Sequence, residues 1–226
     1  MEANRLPREA DVAPLDEDPT SNRPTIGWAP ADPGPLGLAA FALTTFVLSM
    51  INTGLVGGGV ATAAGVVIGL AFAYGGVAQF AAGLWEFRTG NTFGATAFCS
   101  FGAFWVSFYI LLHIGASVIP KTELFSSVGL YLWAWGIFTA YMFVASLRTT
   151  GAVALVFLLL AITFIILGIG NSALSGTHSL TNSTIKIGGW VGLATALAAW
   201  YASMAGVVNS TWGRPIMPVI PLAGRA

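Results

Sequence analysis

Apolar positions in this chain gather into long blocks separated by short polar breaks, with no alternating runs that would suggest strands. Six blocks are long enough to cross a bilayer as α-helices, at roughly 36–56, 60–85, 92–114, 125–147, 151–170 and 187–208. The hydrocarbon core takes about 20 such residues per helix. The pattern predicts an all-α polytopic membrane protein with six transmembrane helices per subunit. Its most telling part is 75–105, where two segments rich in Gly, Ala and Phe meet through one short polar turn that holds Glu86 and Arg88. In a bilayer, this reads as a helix that leaves at the headgroups and re-enters.

Composition agrees. The 226 residues are 56% hydrophobic and only 8% charged, against about 25% charged in soluble domains. Formal net charge is zero, so no basic field is present to draw nucleic acid. The single cysteine, Cys99, excludes an intrachain disulfide and a cysteine-based metal cluster. His113 and His178 are far apart in sequence, so no metal site or cofactor is expected. Cys99 reads as a small packing residue, and His113 as a surface or cap residue at a helix end.

The chain divides into a charged, proline-bearing N-terminal tail (1–32), a membrane domain (33–212) and a C-terminal tail (213–226). The first tail reads as solvated and disordered. It is acidic, with no apolar core of its own, and so does not read as a cleaved signal. With both termini cytoplasmic, Arg5, Arg8, Arg23, Arg88, Arg148, Arg214 and Arg225 fall inside and only Lys121 and Lys186 outside. That bias favours this orientation in the plasma membrane. Trp28, Trp85, Trp190, Trp212 and Tyr131 sit near predicted ends, where half-wet rings are favoured. Gly65–Gly69 and Gly188–Gly192 have the spacing that lets helices approach closely.

No charge lies near the middle of a block, which argues against a carrier built on buried ion pairs. The blocks instead carry neutral hydrogen-bonding groups at helical spacing. In the first, Phe41, Thr45, Ser49 and Asn52 share a face; in the fifth, Leu160, Thr163, Leu167 and Asn171 do. The third offers Thr92, Thr96 and Ser100, and the sixth Gly192, Thr195, Ala199, Ser203 and Gly206. A lone hydroxyl here more often bonds the carbonyl one turn back than lines a path. The amides of Gln79 and Asn171 have more bonding capacity than one backbone contact satisfies. Helix starts at Pro33–Gly37 and at Asn91, an expected N-cap, add further donors. Neutral donors suit weak binding of a small anion in transit.

The residues Pro33-Gly34-Pro35-Leu36-Gly37-Leu38 resemble the N-terminal NPAPLGL signature of the acetate uptake transporter family, the YaaH-type succinate–acetate permeases. Tyr74-Gly75-Gly76-x-Ala78-Gln79, Glu86, Gly90 to Phe98, Gly170-Asn171 and Gly213-Arg214 are similar to the same family. The resemblance implies a homo-hexamer of six-helix subunits, each with its own path for acetate and similar short carboxylates, with succinate as a further substrate. It also implies a hydrophobic constriction, matched here by Phe41, Phe101 and Leu160. Thr45, Ser49, Asn52, Tyr74, Gln79, Thr96, Ser100, Thr163 and Asn171 are then the expected path residues. Two positions depart from the pattern: Asp32 replaces the usual Asn, and Phe101 stands where Tyr is common.

Transport of acetate and related monocarboxylates is therefore the expected function. The alternatives are an ammonium or ammonia exporter and a non-conducting membrane scaffold. No constellation of an enzyme is visible: the chain has no Ser/His/Asp set, HExxH, CxxC or paired intramembrane carboxylates.

Overall fold

A computed structural model describes residues 28, 30–56, 59–172 and 183–222 of the chain. Residues 1–27 of the expected tail at 1–32, with Arg5, Arg8 and Arg23, lie outside the described residues, as do His178 and Arg225. Among the described residues, six helices are long and apolar enough to cross a membrane: α1 (Gly34–Thr53), α2 (Gly65–Thr89), α3 (Thr92–Gly115), α4 (Leu124–Ser146), α5 (Gly151–Ser172) and α6 (Ser183–Trp212). The 20 residues of α1 span about 30 Å at 1.5 Å per residue, the thickness of a hydrocarbon core. Gly54 ends α1 at φ 77° and Gly90 ends α2 at φ 75°, left-handed turns that favour glycine.

The helices pack chiefly as α1 on α6, α4 on α5, α5 on α6 and α2 on α3. Their outward faces are apolar. Leu130, Ile137 and Val144, spaced by seven along α4, are 71%, 70% and 65% exposed. Water would not favour such a stripe, whereas lipid would. This is a multi-pass membrane protein.

Three helix starts lie at one end of the bundle. Gly34 of α1 and Gly94 of α3 both abut the Glu86 side chain at the end of α2. Phe93 near the start of α3 meets Phe157 near the start of α5, with ring centroids 5.1 Å apart. Hence α1, α3 and α5 run parallel to one another, and α2 runs against them. Helix α2 contains a π-helical turn at Ala73–Ala78 that buries Gly75 and Gly76. Such wide turns insert one residue into the α-helical register and recur at functional sites.

Some local expectations meet a different outcome. Tyr131 is half-buried, and its hydroxyl donates to the Phe104 carbonyl at 3.0 Å and meets the Ser107 hydroxyl at 2.7 Å. Gly65 and Gly69 touch nothing on the side where a Cβ would point, whereas Gly188 packs on Leu167. The segment after α6 folds back as a strap. Gly151 and Ala152 at the start of α5 donate their N–H groups to the Ile220 and Val219 carbonyls at 2.7 and 3.2 Å. Tyr201 donates to the Pro218 carbonyl at 2.7 Å. Trp28 and Trp85 do pair, edge to face at 5.9 Å, and remain exposed. His113 is exposed and stacks on Tyr109, and Cys99 packs where Gly83 of α2 comes closest to α3.

Candidate functional site

Phe41 of α1, Phe101 of α3 and Leu160 of α5 come from distant blocks and line one small cavity inside the bundle. Each is at most 4% exposed. The Phe41 and Phe101 rings meet edge to face at 5.8 Å. Phe101 is also held by Phe138 at 5.4 Å and by Trp135 and Phe157 at 6.0 Å. Leu38, Ala97, Phe98, Val156 and Phe157 complete an apolar wall, and Gln79 is its one polar side chain. The space open to a water's centre is about 20 Å³, room for about one molecule. In this conformation the ring is shut to a carboxylate.

On one side of the ring lies the end that carries Glu86. This carboxylate is 2% exposed, yet it is not ion-paired with Arg88, whose guanidinium donates to the Trp28 carbonyl at 3.3 Å. Glu86 Oε2 instead accepts from Thr89 Oγ1 at 3.0 Å and Asn91 Nδ2 at 2.9 Å. Asn91 is the N-cap expected for α3: its Oδ1 accepts the Gly94 N–H at 3.0 Å. A Cβ on Gly94 would sit 2.6 Å from the Glu86 carboxyl carbon, so only glycine leaves room for this latch. At the start of α1, Asp32 Oδ1 accepts the Gly34 N–H at 2.8 Å. Asp32 thus satisfies the N–H of the first helical residue, and it occupies a donor that was expected to be free for an anion.

The other side of the ring is more polar. Thr45 and Ser49 follow Phe41 up α1, both buried. Ser49 packs directly on Gly192 of α6, beside the Thr163 methyl. Thr163 and Thr195 face each other with oxygens 3.2 Å apart, each also donating to the carbonyl one turn back. Asn52 packs on Gly189, and Asn171 donates from Nδ2 to the Leu167 carbonyl at 2.8 Å. Both amides are half-buried.

Tyr74, Thr96 and Ser100 are half-buried and do not line the cavity. The α3 wall is built from Ala97, Phe98 and Phe101, one residue round the helix from Thr96 and Ser100. One residue escaped the sequence reading. Trp105, 2% exposed, continues the Phe101 face by one turn, and its indole nitrogen has no hydrogen-bond partner. Its spacing of four from Phe101 was the available signal; an apolar block conceals a tryptophan's polar atom.

A family model for the GPR1/FUN34/yaaH family matches residues 18–224. The chain belongs to this family. Among its relatives it is 44% identical over 198 residues to acetate permease A of Emericella nidulans, spanning 84% of this chain and 65% of the permease. The chain thus spans just under two thirds of that fungal relative's length. It is 36% identical to the succinate-acetate/proton symporter SatP of Escherichia coli K12, over 84% of this chain and 95% of SatP. The solved structure of the bacterial acetate channel SatP superposes with a TM-score of 0.75 at 35% identity, covering 84% of this chain and 99% of that one.

Proposed function

We propose that this chain moves acetate and related short monocarboxylates, with succinate as a further substrate, across the cytoplasmic membrane along a path within each subunit. The supporting observation is the closure of Phe41, Phe101 and Leu160 around one small cavity, with Gln79 at its wall. Similarity to proteins named as acetate permease and acetate channel gives the substrate class.

The physical logic is desolvation. An ionised carboxylate resists transfer into an apolar ring unless hydrogen bonds replace its water. Thr45, Gln79, Ser49 and Thr163 supply neutral groups at and beyond the ring. With no fixed cation there, binding stays weak enough for release. Asn52 and Asn171 lie farther along the same direction; we assign Tyr74, Thr96 and Ser100 secondary roles, since they line no part of the cavity. The ring parts as substrate passes, because one water's volume does not admit acetate. The same reading includes cytoplasmic termini, set by the arginine bias, homo-hexameric assembly, and a membrane domain at 33–212 flanked by tails at 1–32 and 213–226.

Uptake of labelled acetate into proteoliposomes tests the proposal. Saturable uptake inhibited by propionate is expected. Uptake equal to empty vesicles refutes it, and inhibition by methylammonium but not propionate transfers the assignment to ammonium.

A further inference from the structure

The strap after α6 lies at the level where the bundle leaves the hydrocarbon. Ser203 of α6 donates from Oγ to the Pro35 carbonyl at 2.7 Å, and a Cβ on Gly206 would sit 2.7 Å from Pro35 Cγ. The start of α1 therefore lies beside residues 203–206. Helix α6 continues past Gly206 to Trp212, about 9 Å at 1.5 Å per residue. That carries it through the headgroup layer, which adds roughly 5–7 Å to each leaflet. The chain turns at Gly213, φ 63°, and returns along α6. Asn209 holds the returning segment: its Oδ1 accepts the Ile216 and Met217 N–H groups at 2.7 and 2.8 Å, and its Nδ2 donates to the Met217 carbonyl at 2.9 Å. Leu222 closes the strap by donating its N–H to the Thr149 carbonyl at 3.0 Å.

This strap turns apolar side chains outward. Ile216, Ile220 and Leu222 are 43%, 66% and 40% exposed. Among the described residues, Ile220 is the one non-glycine at positive φ, 53°, a conformation that is a steric outlier for a β-branched side chain. Such an outlier persists where something else outweighs the strain. A strap facing water gains nothing from isoleucine there, since glycine would relieve the strain and remove the apolar surface. Two exposed guanidiniums accompany the row: Arg148, next to Thr149, and Arg214, next to the Gly213 turn. Neither side chain makes a hydrogen bond or ion pair among the described residues. From residue 33 onward the sequence has only two carboxylate side chains, Glu86 and Glu123. Glu86 is engaged by Thr89 and Asn91, and Glu123 precedes α4 at the other end of the bundle.

We infer that the strap is a docking surface for anionic phospholipid: Arg148 and Arg214 bind phosphate oxygens, while Ile216, Ile220 and Leu222 enter the acyl boundary. A guanidinium matches phosphate in charge and in its paired donors. The row continues the outward apolar face of α6, where Leu197, Met204 and Val207 are exposed, so the bilayer already reaches its edge. Apolar side chains flanked by cations at headgroup depth suit an anionic membrane surface. The acidic stretch Asp16-Glu17-Asp18 would neutralise the arginines but leave the isoleucines in water. Phospholipid satisfies both.

The test uses the full chain with Cys99→Ser and Ile220→Cys, labelled with bimane at position 220 and held in phosphatidylcholine nanodiscs. Part of the lipid is replaced by phosphatidylglycerol or by phosphatidylcholine, each brominated on its acyl chains, and quenching of the bimane is read. Both brominated lipids should quench, phosphatidylglycerol roughly fivefold more effectively, the weight of one arginine at an anionic surface. Arg148→Gln together with Arg214→Gln should bring the two lipids to parity while acyl quenching persists. Labelling through Ile216→Cys repeats the reading without disturbing the strained residue. No quenching by either lipid at both positions overturns the proposal and gives the surface to water or to a second copy of the chain. Equal quenching by the two lipids before the arginines are changed also overturns it, as does a preference that survives their removal. Quenching that appears only once residues 1–27 are deleted assigns the surface to the acidic tail instead. None of these readings depends on acetate uptake.

Discussion

Two sets of buried polar groups in the bundle differ in how they are satisfied. At one end Glu86 is enclosed by Thr89, Asn91 and the first turns of α1 and α3, and its Oε2 accepts two hydrogen bonds. Elsewhere in the bundle, Thr45, Gln79 and Trp105 each bury a polar atom with no partner. A satisfied buried network rigidifies a fold, whereas an unsatisfied one costs stability and is kept where something else completes it. The contrast separates a structural latch from groups available to a ligand, although both are polar residues in apolar helices.

The comparison breaks most visibly at the latch. Glu86→Ala strands the Asn91 donor, while Thr89 keeps the Glu86 carbonyl at 2.9 Å, and it empties the space between three helix ends, at a cost of about 3 kcal/mol. The expected result is a clear fall in the thermal unfolding midpoint of purified protein. A wild-type midpoint would mean that Glu86 holds nothing together. Next in size is Gly75→Ala. Its methyl would press on Thr44 and on the Trp105 ring, costing roughly 1–3 kcal/mol. The thermal unfolding midpoint should fall, by less than in Glu86→Ala.

The smallest stability effect is also the most discriminating. Thr45→Val removes a hydroxyl that bonds nothing in the fold, so the unfolding midpoint should hold or rise while acetate uptake falls. Thr195→Val removes a hydroxyl that donates to the Val191 carbonyl and should cost about 1 kcal/mol. If the two variants lose stability equally, the distinction between satisfied and orphaned groups fails.

The six helices were legible in the sequence because bilayer thickness dictates block length, and the observed bounds lie within a few residues of the expected ones. Helical spacing alone put Phe41, Thr45 and Ser49 on one face. Phe41, Phe101 and Leu160 as ring members came from family resemblance, since nothing in a block of phenylalanines marks which one faces inward. Three features stayed hidden for physical reasons. Trp105 reads as apolar until its nitrogen is seen to lack a partner. The π-turn at Ala73–Ala78 leaves no mark in composition beyond its two glycines. Glu86 and Arg88 read as a short polar turn at the headgroups, whereas the carboxylate is drawn inward by Asn91 and Thr89, with Gly34 and Gly94 leaving room. The strap at 213–222 reads as a tail because its backbone bonds to Thr149, Gly151 and Ala152 carry no side-chain signature.

The claim that substrate passes between Phe41, Phe101 and Leu160 is tested most directly by the ratio of butyrate to acetate uptake in vesicles carrying wild type or Leu160→Ala. Truncating the leucine opens the ring on one side, and the ratio should rise roughly tenfold or more, the scale on which a hydrophobic pocket distinguishes one or two methylenes. An unchanged ratio in a variant that remains folded and still transports acetate would place the path elsewhere.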